Sequence, residues 1–312
     1  HVADLDHQLS QMLGVSSRGP ARAHVFFRPQ RVGRNGNLAR FEERLKQLKL
    51  GQGSIVLVTG ESGIGKTFFA SEVSQRAAQQ RVKVIVGECD PPAPLASGPL
   101  ETSTGALNPL RRYFEFLRDS CREGGPEEIE RLLGSALVAL APYSPALAAL
   151  KDRTEIPELS QLPQEAGRER LLTALMQTIV AASKTTPMML VLDDLQWADE
   201  LSLALFEKLH AAIAGGLRLL VLGTYRLEEE SQALRELAAR PGVVNLQLER
   251  LDRDAVSSMV RDMVAHREPD AALVDFVFSL AEGVPFFTAE YLRSVFAEGF
   301  LARTEDGWRL PT

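Results

Sequence analysis

The sequence predicts an α/β fold, a parallel sheet covered by helices, with a helical insertion inside it and a helical piece after it. Three observations carry this prediction. An apolar run, Ile55-Val56-Leu57-Val58, leads into Gly60-Glu61-Ser62-Gly63-Ile64-Gly65-Lys66-Thr67, a full match to the phosphate-loop pattern G-x-x-x-x-G-K-[ST]. A second apolar run, Met188 to Leu192, delivers Asp193 and Asp194 at its end. Around these, short apolar runs alternate with stretches of helical periodicity, the pattern of strands joined by crossover helices.

Taken in order, Val2, Leu5, Leu9, Met12 and Leu13 recur at helical spacing before Gly14, and residues 15–30 read as a linker. Leu38, Phe41, Leu45 and Leu48 fall on one helical face. The run at 55–58 is apolar without alternation, as a strand buried on both faces requires. A helix follows from Thr67 to about Gln80, then a second strand, Val82 to Val86. Residues 91–106, rich in Pro, Ser and Thr, read as a loop. Leu107, Leu110, Phe114, Leu117 and Cys121 keep helical spacing, Pro126-Glu127-Glu128 is a helix start, and Leu171, Leu172, Leu175, Met176, Ile179 and Val180 line another helix. About a hundred residues thus separate the second strand from the third, too many for one crossover helix, so about 105–184 reads as an insertion. Asp199 is placed to cap a helix over Glu200–Ala214. Leu217 to Leu222 is the fourth strand, ending in Gly223-Thr224-Tyr225-Arg226, and Val243 to Leu248 is the fifth. From Asp252 the pattern is helical only: stripes at Val256–Val264, at Leu273–Leu280 stopped by Gly283, and at Tyr291–Phe296 after Pro285. Residues 300–312 read as a hairpin with Asp306-Gly307 at its turn.

Composition sets bounds. The 312 residues suit about two domains, and 45% hydrophobic with 24% charged residues is that of a globular protein. The net charge of −6 argues against a strongly electrostatic grip on nucleic acid, and no apolar run reaches the length of a membrane span. Cys89 and Cys121 lack metal-ligand spacing and read as reduced thiols of a cytoplasmic protein. The chain begins at His1 rather than Met and ends at Pro311-Thr312, and so reads as a segment of a longer polypeptide.

The phosphate loop has a physical task for each residue type. Gly60, Gly63 and Gly65 free the backbone and leave no side chain between amide and phosphate. The loop N–H groups, at the positive end of a helix, surround an anion, and Glu61, Ser62 and Ile64 contribute through their main chain. Lys66 would reach the β- and γ-phosphates, and the Thr67 hydroxyl would hold Mg²⁺. At the end of the third strand Asp193 would hold Mg²⁺ directly or through water, and Asp194 would orient and deprotonate the attacking water; a simple strand-end cap is the plainer reading of the pair. Arg226 would contact the γ-phosphate, or else pair on the surface with Glu228 or Glu229. The five histidines do not cluster, Trp197 reads as a packing residue, and neither an N-K-x-D guanine motif nor an L-S-G-G-Q signature is present. A small-molecule kinase fits poorly with the long insertion and the helical piece after the sheet.

Together, VGR at 32–34, GESGIGKT at 60–67, LVLDDLQWAD at 190–199, LLVLGTYR at 219–226 and EGVPFFTAEYL at 282–292 resemble the signal-transduction ATPases with numerous domains (STAND), a branch of the AAA-like phosphate-loop ATPases, over roughly residues 30–300. The resemblance implies a sheet order 5-1-4-3-2, a helical lid over 251–299 after a 31–250 ATPase domain, a winged-helix-like piece beginning at 300–312, and ATP with Mg²⁺ hydrolysed slowly as a switch. It places Gly33 and Arg34 near the adenine, Arg226 as a sensor on strand four, and Pro285 against the nucleotide from the lid. Val284 stands where the family usually has Asn, and Gln196 where it often has His. Within the family the chain looks most like the module of bacterial multidomain serine/threonine protein kinases, which implies a kinase-like domain before it, with 1–30 its end or a linker, and helical repeats after it. LuxR-type transcription regulators and nucleotide cyclases carry the same module. No kinase motif occurs in this segment. ATP-dependent self-association is a further implication. Against the switch stand a working ATPase whose turnover is its output, and a degenerate scaffold, which intact Lys66, Thr67, Asp193 and Asp194 oppose.

Overall fold

Residues 54–60 are buried throughout, as their unbroken apolar character demands, and form strand β1 (Ser54–Gly60). In the computed structural model, residues 33–91, 107–150, 163–264 and 269–298 are described, with the backbone of 302–304 and 307–309. The expected helix at 2–13, the linker at 15–30 and nearly all of the loop at 91–106 lie outside them. The chain divides into two compact units.

The larger unit holds residues 38–60 and 66–247. Most of helix α1 (Asn35–Lys49) lies in it and buries Leu38, Phe41, Leu45 and Leu48. After β1 come α2 (Lys66–Gln79), β2 (Lys83–Glu88), the insertion helices α3 (Arg111–Leu132), α4 (Ala136–Leu140), α5 (Pro145–Ala148) and α6 (Gln164–Thr185), then β3 (Met188–Asp193), α7 (Glu200–Ala214), β4 (Leu219–Arg226), α8 (Gln232–Ala238) and β5 (Val243–Gln247). The strands form one sheet, ordered β2-β3-β4-β1-β5, and every pairing is parallel. This is the order 5-1-4-3-2 read from the other edge. Side chains alternate between faces, so Ile55, Leu57, Leu190, Leu192, Leu219 and Val221 share one core with the insertion helices and α7. Their neighbours Val56, Val58, Met189, Val191, Leu220 and Leu222 are equally buried, so both faces are covered, and α2 packs on β1 to β4.

Local chemistry explains the boundaries. The Asp199 carboxylate accepts the Ser202 N–H at 2.6 Å and caps α7; Ser231 does the same for α8. Helix α3 is broken at Gly125 (φ 68°, ψ −158°), and Pro126 opens its second segment. Tyr113 anchors α3 to α6 by donating its buried hydroxyl to Thr178 Oγ1 at 3.0 Å. Strand β4 runs to Arg226 rather than stopping at Leu222, because the whole Gly223–Arg226 stretch stays in parallel register with β1 up to Gly60.

The smaller unit holds residues 33–37, 61–65 and 248 onward among those described. Its helices are α9 (Arg253–Val264), α10 (Ala271–Ala281) and α11 (Pro285–Ala297), whose stripes meet in a core of Leu251, Val256, Val260, Leu273, Val277 and Val295. Gly283 is needed where it stands. Its φ is +77°, and a Cβ there would lie 2.1 Å from the Leu251 carbonyl oxygen, whose own N–H donates to Gly283 O at 2.8 Å. Strands β6 (Ala302–Thr304) and β7 (Gly307–Arg309) pair antiparallel. The closing pair is Thr304–Gly307, so Gly307 belongs to the strand and not to the turn.

Candidate functional site

In the larger unit the central strands β3, β4 and β1 end side by side, and β3 and β4 bring Asp193 and Arg226 to that edge because parallel register aligns their C-terminal ends. Gly60 ends β1 and Lys66 opens α2. The Lys66 ammonium, only 6% exposed, donates to Gly60 O at 2.9 Å. Burial pulls its pKa below the usual lysine value, against the opposing pull of Glu228, Asp194 and Asp193. Thr67 follows it and is exposed.

Asp193 is 8% exposed and accepts a hydrogen bond from the Thr224 hydroxyl of β4. Asp194 sits in the left-handed region (φ 58°, ψ 49°), a conformation costly for a residue with a side chain. Its N–H donates to Thr224 Oγ1 at 3.1 Å, so one hydroxyl ties both carboxylate residues to β4. Gln196 donates from Nε2 to Asp194 Oδ1 at 2.8 Å and accepts the Arg226 main-chain N–H at 3.2 Å. The Arg226 guanidinium pairs with Glu229 at 2.9 Å, and the second Glu229 oxygen, Oε2, is buried without a hydrogen-bond partner. Glu229 is one of the surface partners open to Arg226 in the sequence.

The smaller unit gathers the other sequence candidates. Glu61–Gly65, the apex of the phosphate loop, is held by its main chain. The Phe286 N–H of α11 donates to Gly63 O at 3.2 Å. Arg34 donates from Nη2 to Ile64 O at 3.1 Å and from Nη1 to Glu249 O. Burial lowers the Arg34 pKa from its ordinary value, with Glu249 acting in the opposite sense. Gly33 is close-packed on Leu251 and Ala255. Arg250 bridges Glu61 at 2.9 Å and Glu282. Pro285 opens α11 one residue before the Phe286 amide that meets Gly63. Val284 is buried, and its Cγ1 lies 3.3 Å from where a Cβ on Gly63 would stand. An apolar side chain therefore packs against the loop at this position.

The residues present fit a nucleotide and its metal. Gly63 (φ +76°) and Gly65 (φ +96°) hold loop conformations that favour glycine, and a Cβ on Gly65 would meet only open space within 4 Å, the room an anion cradle needs. No group of three or more His, Cys, Asp or Glu poised for a metal occurs among the described residues. Sequence reading passed over Thr224 and Gln196 as members of the site. The strand-end position of Thr224 was a usable signal, whereas the role of Gln196 depends on a contact with Arg226, 30 residues away.

Comparison with known proteins places the chain in a family. The AAA ATPase domain family matches residues 30–222, and the chain belongs to it. An uncharacterized protein of Rhizobium meliloti (strain 1021) is 28% identical over 252 residues, covering 77% of this chain and 22% of its own length. The chain thus spans about a fifth of that relative. Among solved structures, Orc1 of Aeropyrum pernix in complex with DNA has a TM-score of 0.46 at 16% identity, covering 89% of this chain and 63% of its own. AMPPCP-bound DnaA from Aquifex aeolicus has a TM-score of 0.45 at 15% identity, covering 86% and 64%. The Walker-type ATPase PABY2304 of Pyrococcus abyssi has a TM-score of 0.46 at 9% identity, covering 93% and 95%.

Proposed function

We propose that this member of the AAA ATPase family binds ATP and hydrolyses it slowly, as the regulatory switch of a multidomain bacterial signalling protein. The observation that supports it most is the connected polar network at the strand ends, Asp193, Thr224, Asp194, Gln196 and Arg226, in a chain that carries a complete phosphate-loop sequence with the Lys66 ammonium on Gly60 O. In this reading the N–H groups of residues 60–67 surround the phosphates and the Lys66 ammonium turns from Gly60 O to a phosphate oxygen. Mg²⁺, held by the Thr67 hydroxyl and Asp193, would neutralise phosphate charge. Asp194 takes the proton of the attacking water. Arg226 leaves Glu229 for the γ-phosphate, so that its contacts differ before and after hydrolysis. ATP shifts the module between two states only by the difference of its affinities for them.

The fused partner is proposed on resemblance: a serine/threonine protein kinase domain first, a LuxR-type regulator or a cyclase otherwise, with self-association on ATP. A cytoplasmic setting is consistent with Cys89 and Cys121, both free and buried. No helix among the described residues is long and apolar enough to cross a membrane.

The test is nucleotide content and turnover of the purified chain. Denaturation should release ADP or ATP, and hydrolysis should be slow and lost in Lys66→Ala. Turnover at about 1–1000 per second would instead mark an ATPase whose turnover is its output. No nucleotide and no turnover would refute both readings.

A further inference from the structure

Gln196 follows the Asp193-Asp194 pair within the stretch 190–199, and its carboxamide has both ends engaged. Nε2 donates to Asp194 Oδ1 at 2.8 Å, and Oε1 accepts the Arg226 N–H at 3.2 Å. The two partners fix the orientation of the amide, since a flipped group would set donor against donor and acceptor against acceptor. From this geometry we infer that Gln196 is a positioning residue for hydrolysis, holding the Asp194 carboxylate in register with the end of β4. The inference rests on the ATPase reading above.

The backbone of Asp194 is fixed by the left-handed turn and by the N–H bond to Thr224 Oγ1. Its side chain is half-buried, and Lys66 and Arg226 are both cations of the same strand-end cluster. Without the Gln196 donor the carboxylate would turn toward those cations and lose its aim at a water. The other end of the amide holds the main chain of Arg226, at the start of the short helical turn that carries Glu229. A single side chain therefore links the residue proposed to activate water with the residue proposed to detect the γ-phosphate.

The link needs one donor and one acceptor about 2.2 Å apart on a side chain of this reach, which a neutral imidazole also supplies. Leu supplies neither, and Glu, ionised, supplies two acceptors and sets a carboxylate against a carboxylate. The experiment uses the 312-residue chain and its Gln196→Leu, Gln196→His and Gln196→Glu variants. It measures Mg-ATP affinity with a fluorescent analogue, single-turnover hydrolysis, and hydrogen exchange of the Arg226 amide without nucleotide. Gln196→Leu should slow hydrolysis by about 10- to 100-fold, the scale of a lost hydrogen bond to a charged group, with affinity within about 3-fold of wild type. Its Arg226 amide should exchange at least about 10-fold faster, because the acceptor is gone. Gln196→His should recover most of both, whereas Gln196→Glu, which keeps an acceptor for the Arg226 N–H but has no donor for Asp194, should recover the amide protection and not the rate. Wild-type hydrolysis by Gln196→Leu overturns the positioning role, as does a loss shared between affinity and rate that His fails to restore. Absence of Lys66-dependent hydrolysis in the unaltered chain overturns the ATPase reading itself and this inference with it.

Discussion

Replacing Lys66 with Ala separates the loss of a ligand from the loss of a fold. In the folded chain the ammonium is nearly fully enclosed and makes a hydrogen bond to Gly60 O at 2.9 Å. Its removal forfeits that charge-assisted bond, worth about 1.5–3 kcal/mol, and at the same time relieves the burial that lowers the Lys66 pKa, so the nucleotide-free protein should stay folded with its Tm lowered by no more than several degrees. Binding is another matter. At about 4 Å and an effective permittivity near 20, one phosphate charge attracts an ammonium by about 4 kcal/mol. Losing that attraction weakens ATP by about three orders of magnitude. The assay is a thermal-shift titration with Mg-ATP alongside fluorescence binding. Wild type should gain Tm with nucleotide, and Lys66→Ala should gain none at the same concentrations. Equal nucleotide-dependent shifts in both proteins would refute the placement of the phosphates at this loop. A collapse of the nucleotide-free Tm would refute the claim that Lys66 is dispensable for folding.

Further predictions concern catalysis, the smaller unit and pH. Asp194→Asn should keep ATP affinity within about 3-fold and slow hydrolysis by about 100-fold or more, the range of a lost general base, in single-turnover measurements. Equal hydrolysis would move the base elsewhere. Gly283→Ala places a methyl group 2.1 Å from Leu251 O at a φ of +77°, and should lower unfolding free energy by about 1–3 kcal/mol in urea denaturation. Burial, reinforced by Asp199, Asp194 and Asp193, pushes the Cys89 thiol up to about 12 from an ordinary 9.0, and burial pushes Cys121 up to about 11. Both therefore bind their protons more tightly when folded. Their contribution to stability is complete below pH 9 and declines as pH rises from there toward 11 and 12, by up to about 1.4 kcal/mol per pH unit for each group. Urea midpoints between pH 8 and 10.5 should fall accordingly, and iodoacetamide at pH 8 should label neither thiol until the chain unfolds.

Much of this protein is written locally. The apolar runs at 55–58 and 188–192, the glycine spacing of 60–65 and the Asp199 cap act over a few residues, and local spacing alone sufficed to read them as strands, loop and helix start. Parallel strands were implied because alternating strands and helices have few other ways to bury their apolar faces. The partners of the polar groups were not legible. Thr224 meets Asp193 and Asp194, and Gln196 meets Arg226, across gaps of about thirty residues, which close because β4 lies beside β3 in register. The pairing of Arg226 with Glu229 came from the turn after β4, and the left-handed Asp194 from the way β3 ends there. Arg34 is the sharpest case, since its neighbours in sequence say nothing of the Ile64 and Glu249 carbonyls that receive its guanidinium. Sequence by itself determined which chemistry the chain carries, because backbone propensity and apolar periodicity are local. Tertiary structure alone decided which atoms face one another, because hydrogen bonds between distant residues depend on strand order and register, which no local pattern encodes.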